Sequence, residues 1–414
     1  MSADDQTALI FGKYKLLERL GRGGMAEVFK ALSVGAAGFQ RPVVIKRILP
    51  HLAADAQFVE MFIEEARIAA SLDHPNIVQV FDLGRHAGDL FMVLEYVPGS
   101  DLGELARFHA TEGQPIPHQL VAFIAVDLCK ALECAHGHRD EHGHHRPVIH
   151  RDVSPQNVLL SVGGGVKLAD FGLATSMGAA RVTMPGVIKG KLGYMSPEQA
   201  GGARDLDVRS DLFSLGIVMY EALSGRRLFV GHGPADTIRR VRAAQVPPLG
   251  DVAPGVPTPL GDLVSRLLAR SRDDRPESSQ EVRRVLATYL RGVSPPVDAT
   301  VLAEAVRRVL AGQSRAVDAG DSDAETRAVE SEEGPCVDEG ARDASYDIAD
   351  DGRMTFCDSP DPPGAATLAD EGPAVAPVTP LLPPVEGNAA EEGSVLVSRV
   401  VTVGNAEGEG GAGT

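Results

Sequence analysis

Two aspartates and an asparagine are spaced along the middle of the chain in a way that suits a divalent cation. Asp152 lies in the segment HRDVSPQN, Asn157 follows five residues later, and Asp170 follows 18 residues after Asp152. Carboxylate and amide oxygens are the ligands that Mg²⁺ prefers. Transfer of a phosphoryl group from a nucleotide needs such a cation and a group that orients the attacking hydroxyl. These three residues could supply both.

A glycine-rich segment and a lysine near the N-terminus could hold the phosphates. Gly21, Gly23 and Gly24 lie in GRGGMAEV between two predicted strands, where a backbone without Cβ atoms can bring N–H groups to an anion. An ordinary glycine turn of a β-hairpin is the alternative. Lys46 ends the apolar run VVIK, and Glu65 on the next predicted helix could fix its ammonium; a surface lysine is the alternative.

The hydrophobic pattern predicts two lobes of different class. Short β-rich runs separated by glycines cover residues 14–49, and one amphipathic helix follows at 56–72. Two more strands precede Gly99, and the pattern after it is mainly helical. We therefore predict an α+β fold with a small β-rich lobe at about 14–97, a larger helical lobe at about 98–290, and a ligand crevice between them.

Charge distinguishes the two ends of the chain. The net charge is −17, yet residues 1–290 carry 32 basic and 33 acidic residues, whereas residues 291–414 carry 8 basic and 24 acidic ones. An acidic segment rich in Gly and Pro is typical of a disordered tail, which we predict from 291 to 414. A short amphipathic helix at 299–312 could pack on the domain or dock a partner. No basic stripe indicates nucleic acid as a partner.

Cysteine usage and hydropathy predict a cytoplasmic location. Cys129, Cys134, Cys336 and Cys357 form no CxxC pair, which argues against a zinc ribbon or a disulfide scaffold. The first residues lack the basic region of a signal peptide, and no run of about 18 apolar residues occurs, so we expect no membrane span.

Six histidines lie within the 15 residues from His136 to His150. A metal site is one interpretation of this cluster. The alternative, which the absence of a carboxylate or thiol pattern favours, is a solvated insertion before HRD.

Taken in order, the glycine-rich segment, VVIK, the helix glutamate, HRDVSPQN, DFG and SPE resemble the protein kinase superfamily, in particular the bacterial eukaryotic-like (Hanks-type) Ser/Thr kinases. The resemblance extends from about Tyr14 to Leu290. It implies the bilobal kinase fold and a non-specific serine/threonine protein kinase that uses ATP with Mg²⁺ or Mn²⁺, autophosphorylates, and acts in signal transduction. ATP, protein substrates and docking partners of the acidic tail would be its partners.

The resemblance also implies roles for individual residues. Residues that would bind ATP are Leu20, Gly21, Arg22, Gly23, Gly24, Val28, Lys46, Glu65, Glu95, Val97, Asn157 and Asp170. Asp152 would be the catalytic base, Lys46 would bind the α/β-phosphates, and Asn157 and Asp170 would hold Mg²⁺. Structural roles would fall to His150, Phe171, Glu198, Asp211 and Arg275.

Three positions depart from the family pattern. Ala26 replaces the third glycine of the glycine-rich segment. Ser154 stands where Ser/Thr kinases usually carry a lysine that faces the γ-phosphate, and Lys191 stands where they usually carry a threonine. We expect Lys191 to supply the charge that is missing at Ser154, and we therefore count it among the catalytic residues.

The segment from Leu173 to Pro197 corresponds to the activation loop of such kinases. Candidate phosphorylation sites are Thr175, Ser176 and Thr183, of which Thr183 is the first choice, and Arg151 would receive the phosphate. A segment that is not phosphorylated is the alternative.

Two other functions remain open. Ser154 and Ala26 would suit a pseudokinase scaffold that binds nucleotide and partners without efficient transfer, although retention of the catalytic residues named above argues against it. A tyrosine kinase is disfavoured by the segment SPEQ and by the overall pattern.

Overall fold

The computed structural model describes residues 10–171 and 191–313. Its small lobe is built on one antiparallel sheet with the strand order β1-β2-β3-β4-β6-β5. In chain order its strands are β1 (Ile10–Phe11), β2 (Tyr14–Arg22), β3 (Ala26–Val34), β4 (Gln40–Ile48), β5 (Val80–His86) and β6 (Asp89–Glu95). One helix, α1 (Ala56–Ser71), begins after Asp55, whose side chain accepts a hydrogen bond from the Gln57 N–H.

Two faces of this sheet have different environments. Helix α1 packs its apolar side chains, among them Phe58 and Phe62, against one face. Strand β3 pairs with β4 so that Val28 lies opposite Lys46 and Glu27 lies opposite Arg47. Because successive side chains of a strand point to opposite faces, these two pairs lie on different sides of the sheet.

The glycine-rich hairpin consists of the ends of β2 and β3 and the turn between them, residues 19–28. Its pairing places Gly21 opposite Val28 and Arg22 opposite Glu27. The Gly23 N–H donates to the Ala26 carbonyl at 2.9 Å and closes the turn. The pairing is interrupted between Arg19 and Gly21 by an irregularity of the kind that bends a hairpin.

The larger lobe is mainly helical. Its helices are α2 (Leu102–Thr111), α3 (His118–His136), α4 (Pro197–Ala200), α5 (Arg209–Ser224), α6 (Pro234–Ala243), α7 (Leu249–Val252), α8 (Thr258–Leu267), α9 (Ser279–Arg291) and α10 (residues 299–313). Helix α5 is buried on all sides from Ser210 to Leu223, as its almost continuous apolar sequence indicates. A small sheet of β7 (Gly99–Asp101), β8 (Val158–Ser161) and β9 (Val166–Leu168) carries the loops of the crevice.

Helix α10 packs on the larger lobe. Leu302, Val306 and Val309 are buried in its hydrophobic core. Arg308 forms an ion pair with Glu112 just beyond the end of α2, with its nitrogen 2.9 Å from a carboxylate oxygen. The domain limit at residue 290 remains a prediction, and the tail from 314 to 414 lies outside the described residues.

The predicted α+β fold with two lobes is confirmed. The sheet with its single helix and the mainly helical lobe fall where the change of pattern after Gly99 places them. Within residues 10–171 and 191–313, none of the helices is both long and apolar enough to cross a lipid bilayer.

Candidate active site

The segment that carries Asp152 is held by one buried carboxylate. Asp211, in the first turn of α5, accepts hydrogen bonds at 2.8 Å from the backbone N–H groups of His150 and Arg151. The His136 Nε2 lies 2.8 Å from the same carboxylate. Burial opposes a charge on Asp211, but hydrogen bonds, that of His136 first, outweigh it and keep its pKa below the ordinary value. These bonds hold Arg151 at a φ of 66°, an uncommon backbone conformation for a residue with a side chain.

Two side chains converge on the carboxylate of Asp152. Asn157 donates from Nδ2 to the Asp152 carbonyl at 2.7 Å and to its Oδ2 at 2.9 Å. The Nζ atom of Lys191 lies 2.5 Å from the same Oδ2. Because the amide nitrogen of Asn157 makes these bonds, its amide oxygen is the atom that could contact a cation.

A second cluster of charges lies on the strand side of the crevice. Lys46 of β4 donates from Nζ to Glu65 of α1 at 2.6 Å and to Asp170 at 2.9 Å. Burial acts to lower the pKa of Lys46, but the two carboxylates outweigh it and raise the pKa. Lys46 in turn lowers the pKa of Asp170, while burial raises that of Glu65. The arrangement keeps Lys46 charged and Asp170 ionised.

The glycines of the hairpin have no explanation within the described part of the protein. A Cβ atom built on Gly21 would meet nothing within 4 Å, and one on Gly23 would come no closer than 3.7 Å to the Ala26 carbonyl. Neither residue has the left-handed φ that favours glycine. Neither packing nor backbone conformation therefore requires glycine here, whereas a ligand that approaches the backbone would.

The other residues predicted to bind ATP line the hairpin and the connection between the lobes. Leu20 and Arg22 are exposed on β2, and Val28 is half-buried on β3. The Glu95 N–H donates to the Gln79 carbonyl at 2.9 Å, and its carboxylate lies 2.9 Å from Lys167 Nζ. Val97 follows in the connection and is half-buried. Their contact with adenine remains a prediction.

The residues predicted to have structural roles are buried below the crevice. The His150 ring lies 4.6 Å from that of Phe171, and its Nε2 lies 3.0 Å from the Ala169 carbonyl. Arg275, whose side chain is 0% exposed, donates two hydrogen bonds to Glu198 at 2.7 and 2.9 Å. Burial acts to raise the pKa of Glu198, but the hydrogen bonds from Arg275 outweigh it and lower the pKa.

Some anchoring residues were missed from the sequence. His136 belongs to the histidine-rich segment, yet its Nε2 makes a hydrogen bond with Asp211, which is 75 residues away. Tyr194 donates to Glu221 at 2.7 Å and thereby ties the segment after Lys191 to α5. No local pattern distinguishes these residues, since their partners are distant in the chain.

In the described part of the chain, the histidine-rich segment forms no group of side chains that could bind a metal ion. Within residues 10–171 and 191–313, no three His, Cys, Asp or Glu side chains are grouped closely enough to hold an ion. The predicted phosphorylation sites Thr175, Ser176 and Thr183 lie outside the described residues.

The sequence matches a known protein family over most of the described residues. The family described as the protein kinase domain matches residues 14–286. The tyrosine-protein kinase MasK of Myxococcus xanthus is 39% identical over 280 residues, covering 68% of this chain and 43% of MasK. The serine/threonine-protein kinase PknB of Mycobacterium leprae is 36% identical over 304 residues, which are 72% of this chain and 46% of PknB.

The serine/threonine-protein kinase PrkC of Bacillus subtilis is 32% identical over 283 residues, which are 67% of this chain and 41% of PrkC. The chain thus spans less than half the length of these relatives. Among solved structures, the kinase domain of Mycobacterium tuberculosis PknI superposes with a TM-score of 0.51 at 29% identity, covering 68% of this chain and 98% of that domain.

Proposed function

The chain belongs to the protein kinase family, and we propose that it transfers the γ-phosphoryl group of ATP to Ser or Thr hydroxyls of proteins. The observation that carries this proposal is the pairing of two charge clusters across one crevice. Lys46, Glu65 and Asp170 form one cluster, and Asp152 with Lys191 forms the centre of the other.

The donor atoms of the crevice fit a hard divalent cation. The carboxylate of Asp170 and the amide oxygen of Asn157 are the ligand types that Mg²⁺ or Mn²⁺ takes, and we propose that these two residues hold it. When bound, the cation would offset the negative charge of the phosphates. The open space at Gly21 and Gly23 leaves the backbone of the hairpin free to approach those phosphates.

Each side chain has a task that its position supports. Lys46, fixed by Glu65, would hold the α/β-phosphates. Asp152 would orient the attacking hydroxyl and accept its proton, since Asn157 holds its carboxylate in place. Lys191 would release Asp152 toward the substrate and place its positive charge on the γ-phosphate, where charge neutralisation contributes most to the rate.

Incubation of the purified protein with labelled ATP, Mg²⁺ and a generic Ser/Thr substrate protein tests this proposal. We expect incorporation of label that the variant Asp152→Asn does not give. Label no higher than that of the variant would favour the pseudokinase scaffold instead.

The identity of the acceptor hydroxyl needs its own test. Similarity to PknB and PrkC supports Ser/Thr, whereas the name of the relative MasK, with 39% identity, supports tyrosine as a second candidate. Phosphoamino-acid analysis of the labelled products separates the two. Phosphotyrosine as the main product would overturn the Ser/Thr assignment.

Regulation of the enzyme is proposed on sequence grounds. We propose autophosphorylation at Thr183, or at Thr175 or Ser176, with Arg151 as the receiving cation. A role in cytoplasmic signal transduction, with partners that dock on the acidic tail, belongs to the same proposal. Mass spectrometry of the protein after incubation with ATP, beside Asp152→Asn, would identify the modified residues.

A further inference from the structure

Glu27 is a buried carboxylate in the glycine-rich hairpin, on the face of the sheet opposite to Lys46. It stands directly opposite Arg22 on β2 and opposite Arg47 on β4. Its neighbour Val28 is the residue paired with Lys46. Because side chains alternate along a strand, Glu27 cannot contact a nucleotide bound beside Lys46.

The two oxygens of Glu27 serve different strands. Oε2 accepts a hydrogen bond from Arg47 Nη2 at 2.8 Å, which joins β3 to β4. Oε1 lies 3.7 Å from Arg19 Nη1 and 3.9 Å from Arg22 Nε, both on β2. One carboxylate therefore links the three strands that carry the hairpin and Lys46.

The contact with Arg47 is firm. Arg47 is itself held in place by two neighbours. Asp89 lies 3.3 Å from its Nη1, and the centroid of the Phe29 ring lies 5.4 Å from its guanidinium carbon. The Glu27 side chain is 11% exposed, and the hydrogen bond from Arg47 holds its pKa below the ordinary value. A hydrogen bond between two charged groups is stronger than one between neutral groups.

On the face toward the crevice, the two strands of the hairpin are held unequally. On β3, Ala26 is buried in the cluster that α1 covers, and the Leu49 N–H donates to the Met25 carbonyl at 3.0 Å. On β2, the site of a Cβ on Gly21 is empty to 4 Å among the described residues. The position of β2 above the crevice therefore depends on its pairing with β3 and on contacts from the outer face, among them those of Arg19 and Arg22 with Glu27.

We propose that Glu27 is a positioning residue for nucleotide binding. By bridging β2 and β4, Glu27 fixes the glycine-rich hairpin over the phosphates of the nucleotide. The inference rests on the proposed function, because it supposes that ATP binds beneath the hairpin. It assigns Glu27 no contact with the substrate, so its effect should fall on nucleotide affinity rather than on the chemical step.

The test combines titration of the non-hydrolysable analogue AMP-PNP with Mg²⁺ by calorimetry and steady-state kinetics. For Glu27→Gln we expect the Kd of the analogue and the KM for ATP to rise about 10-fold, the usual value of one charge-assisted bond, with kcat within about 2-fold. Glu27→Asp, which keeps the charge, should recover part of the affinity. The matched control is Glu18→Gln, because Glu18 binds Lys30 at 3.0 Å across β2 and β3 but is 60% exposed.

A second variant tests the same link from the other strand. Arg47→Met keeps an apolar stem against Phe29 and removes the charge, so it should raise the Kd as Glu27→Gln does. Each substitution also removes contacts of its own, those of Arg47 with Asp89 and those of Glu27 with Arg19 and Arg22. Because the two share the Glu27–Arg47 bond, the double variant should lose less affinity than the sum of the two single losses. Arg47→Met also tests the role of the Glu27–Arg47 bond if Glu27→Gln does not fold.

The outcomes separate the two proposals. If the unaltered protein binds AMP-PNP and both variants bind it equally well, the role of Glu27 is wrong and the kinase function stands. A loss of kcat with an unchanged Kd would also overturn that role. If the unaltered protein binds no nucleotide, both proposals fail together.

Discussion

Lys191 and Asp152, which are 39 residues apart in the chain, are joined by a hydrogen bond of 2.5 Å between Nζ and Oδ2. The side chain of Lys191 remains 36% exposed, so it can move toward a ligand. Ser154, two residues after Asp152, is 0% exposed, and its hydroxyl has no partner among the described residues. The positive charge beside Asp152, the proposed catalytic base, is therefore provided by Lys191.

Removal of that charge should slow the chemical step. We expect Lys191→Ala to lower kcat by about 100-fold, the usual effect of losing one preorganised group that stabilises the transition state. The KM for ATP should change little, because Lys46, which we propose to hold the α/β-phosphates, is unaltered. The control is Lys189→Ala, a neighbouring lysine without an assigned role. Equal losses in the two variants would contradict the role of Lys191.

Moving the charge to residue 154 should restore part of the activity. In the double variant Lys191→Thr/Ser154→Lys, the new ammonium would extend from the loop that carries Asp152. We expect its kcat to exceed that of Lys191→Thr alone by about 10-fold. The matched control, Lys191→Thr/Ser154→Met, has a side chain of similar length without charge. Recovery in that control would show that packing, not charge, is responsible.

The carboxylate of Asp170 should govern the need for the cation. We expect Asp170→Asn to raise the Mg²⁺ concentration for half-maximal activity by at least about 10-fold, because an amide replaces a charged ligand. A titration with Mg²⁺ at saturating ATP measures this value. Asp82→Asn is the control, since Asp82 lies on β5 and contacts Lys13 and Tyr14 rather than residues of the site. An unchanged requirement in Asp170→Asn would assign the cation to other ligands.

The pair Glu198–Arg275 should make stability depend on acidity. The pKa of Glu198 in the folded protein lies below its ordinary value of 4.5, so the folded state holds the proton less tightly than the unfolded chain. The contribution to stability is complete above pH 4.5 and is lost as the pH falls through the lowered pKa.

Urea unfolding at several pH values measures this dependence. At neutral pH we expect Glu198→Gln to lower the free energy of unfolding by about 3 kcal/mol, because buried Arg275 loses its partner charge. The difference between the two proteins should shrink as the pH drops from about 5 to about 3. A difference that stays constant over this range would mean that ionisation of Glu198 contributes nothing.

Local sequence patterns were sufficient to predict the strands and helices and the types of residue that form the site. The apolar run VVIK and the helical period around Glu65 put Lys46 on a strand and Glu65 on a helix, and the fold joins their side chains at 2.6 Å. The change of pattern after Gly99 located the boundary between the lobes. Such signals lie within about 20 residues of one another, where periodicity is informative.

Contacts between distant segments could not be predicted in this way. The bond of His136 to Asp211 depends on how α3 packs against α5. The bridge of Glu27 to Arg47 depends on strand register, because a shift of β3 by one residue against β4 would turn Glu27 to the other face, away from Arg47. The sequence contains no local mark of either.

Helix α10 also determines when, during translation, the larger lobe can complete its folding. Chains emerge from the ribosome with the N-terminus first, and domains fold as units. Val309, which is buried in the core of the larger lobe, is translated 23 residues after the family match ends at residue 286. Until it emerges, the apolar surface that α10 covers stays open to water and to chaperones. The nascent kinase can therefore reach its final fold only after translation has passed well beyond residue 286, where the family match ends.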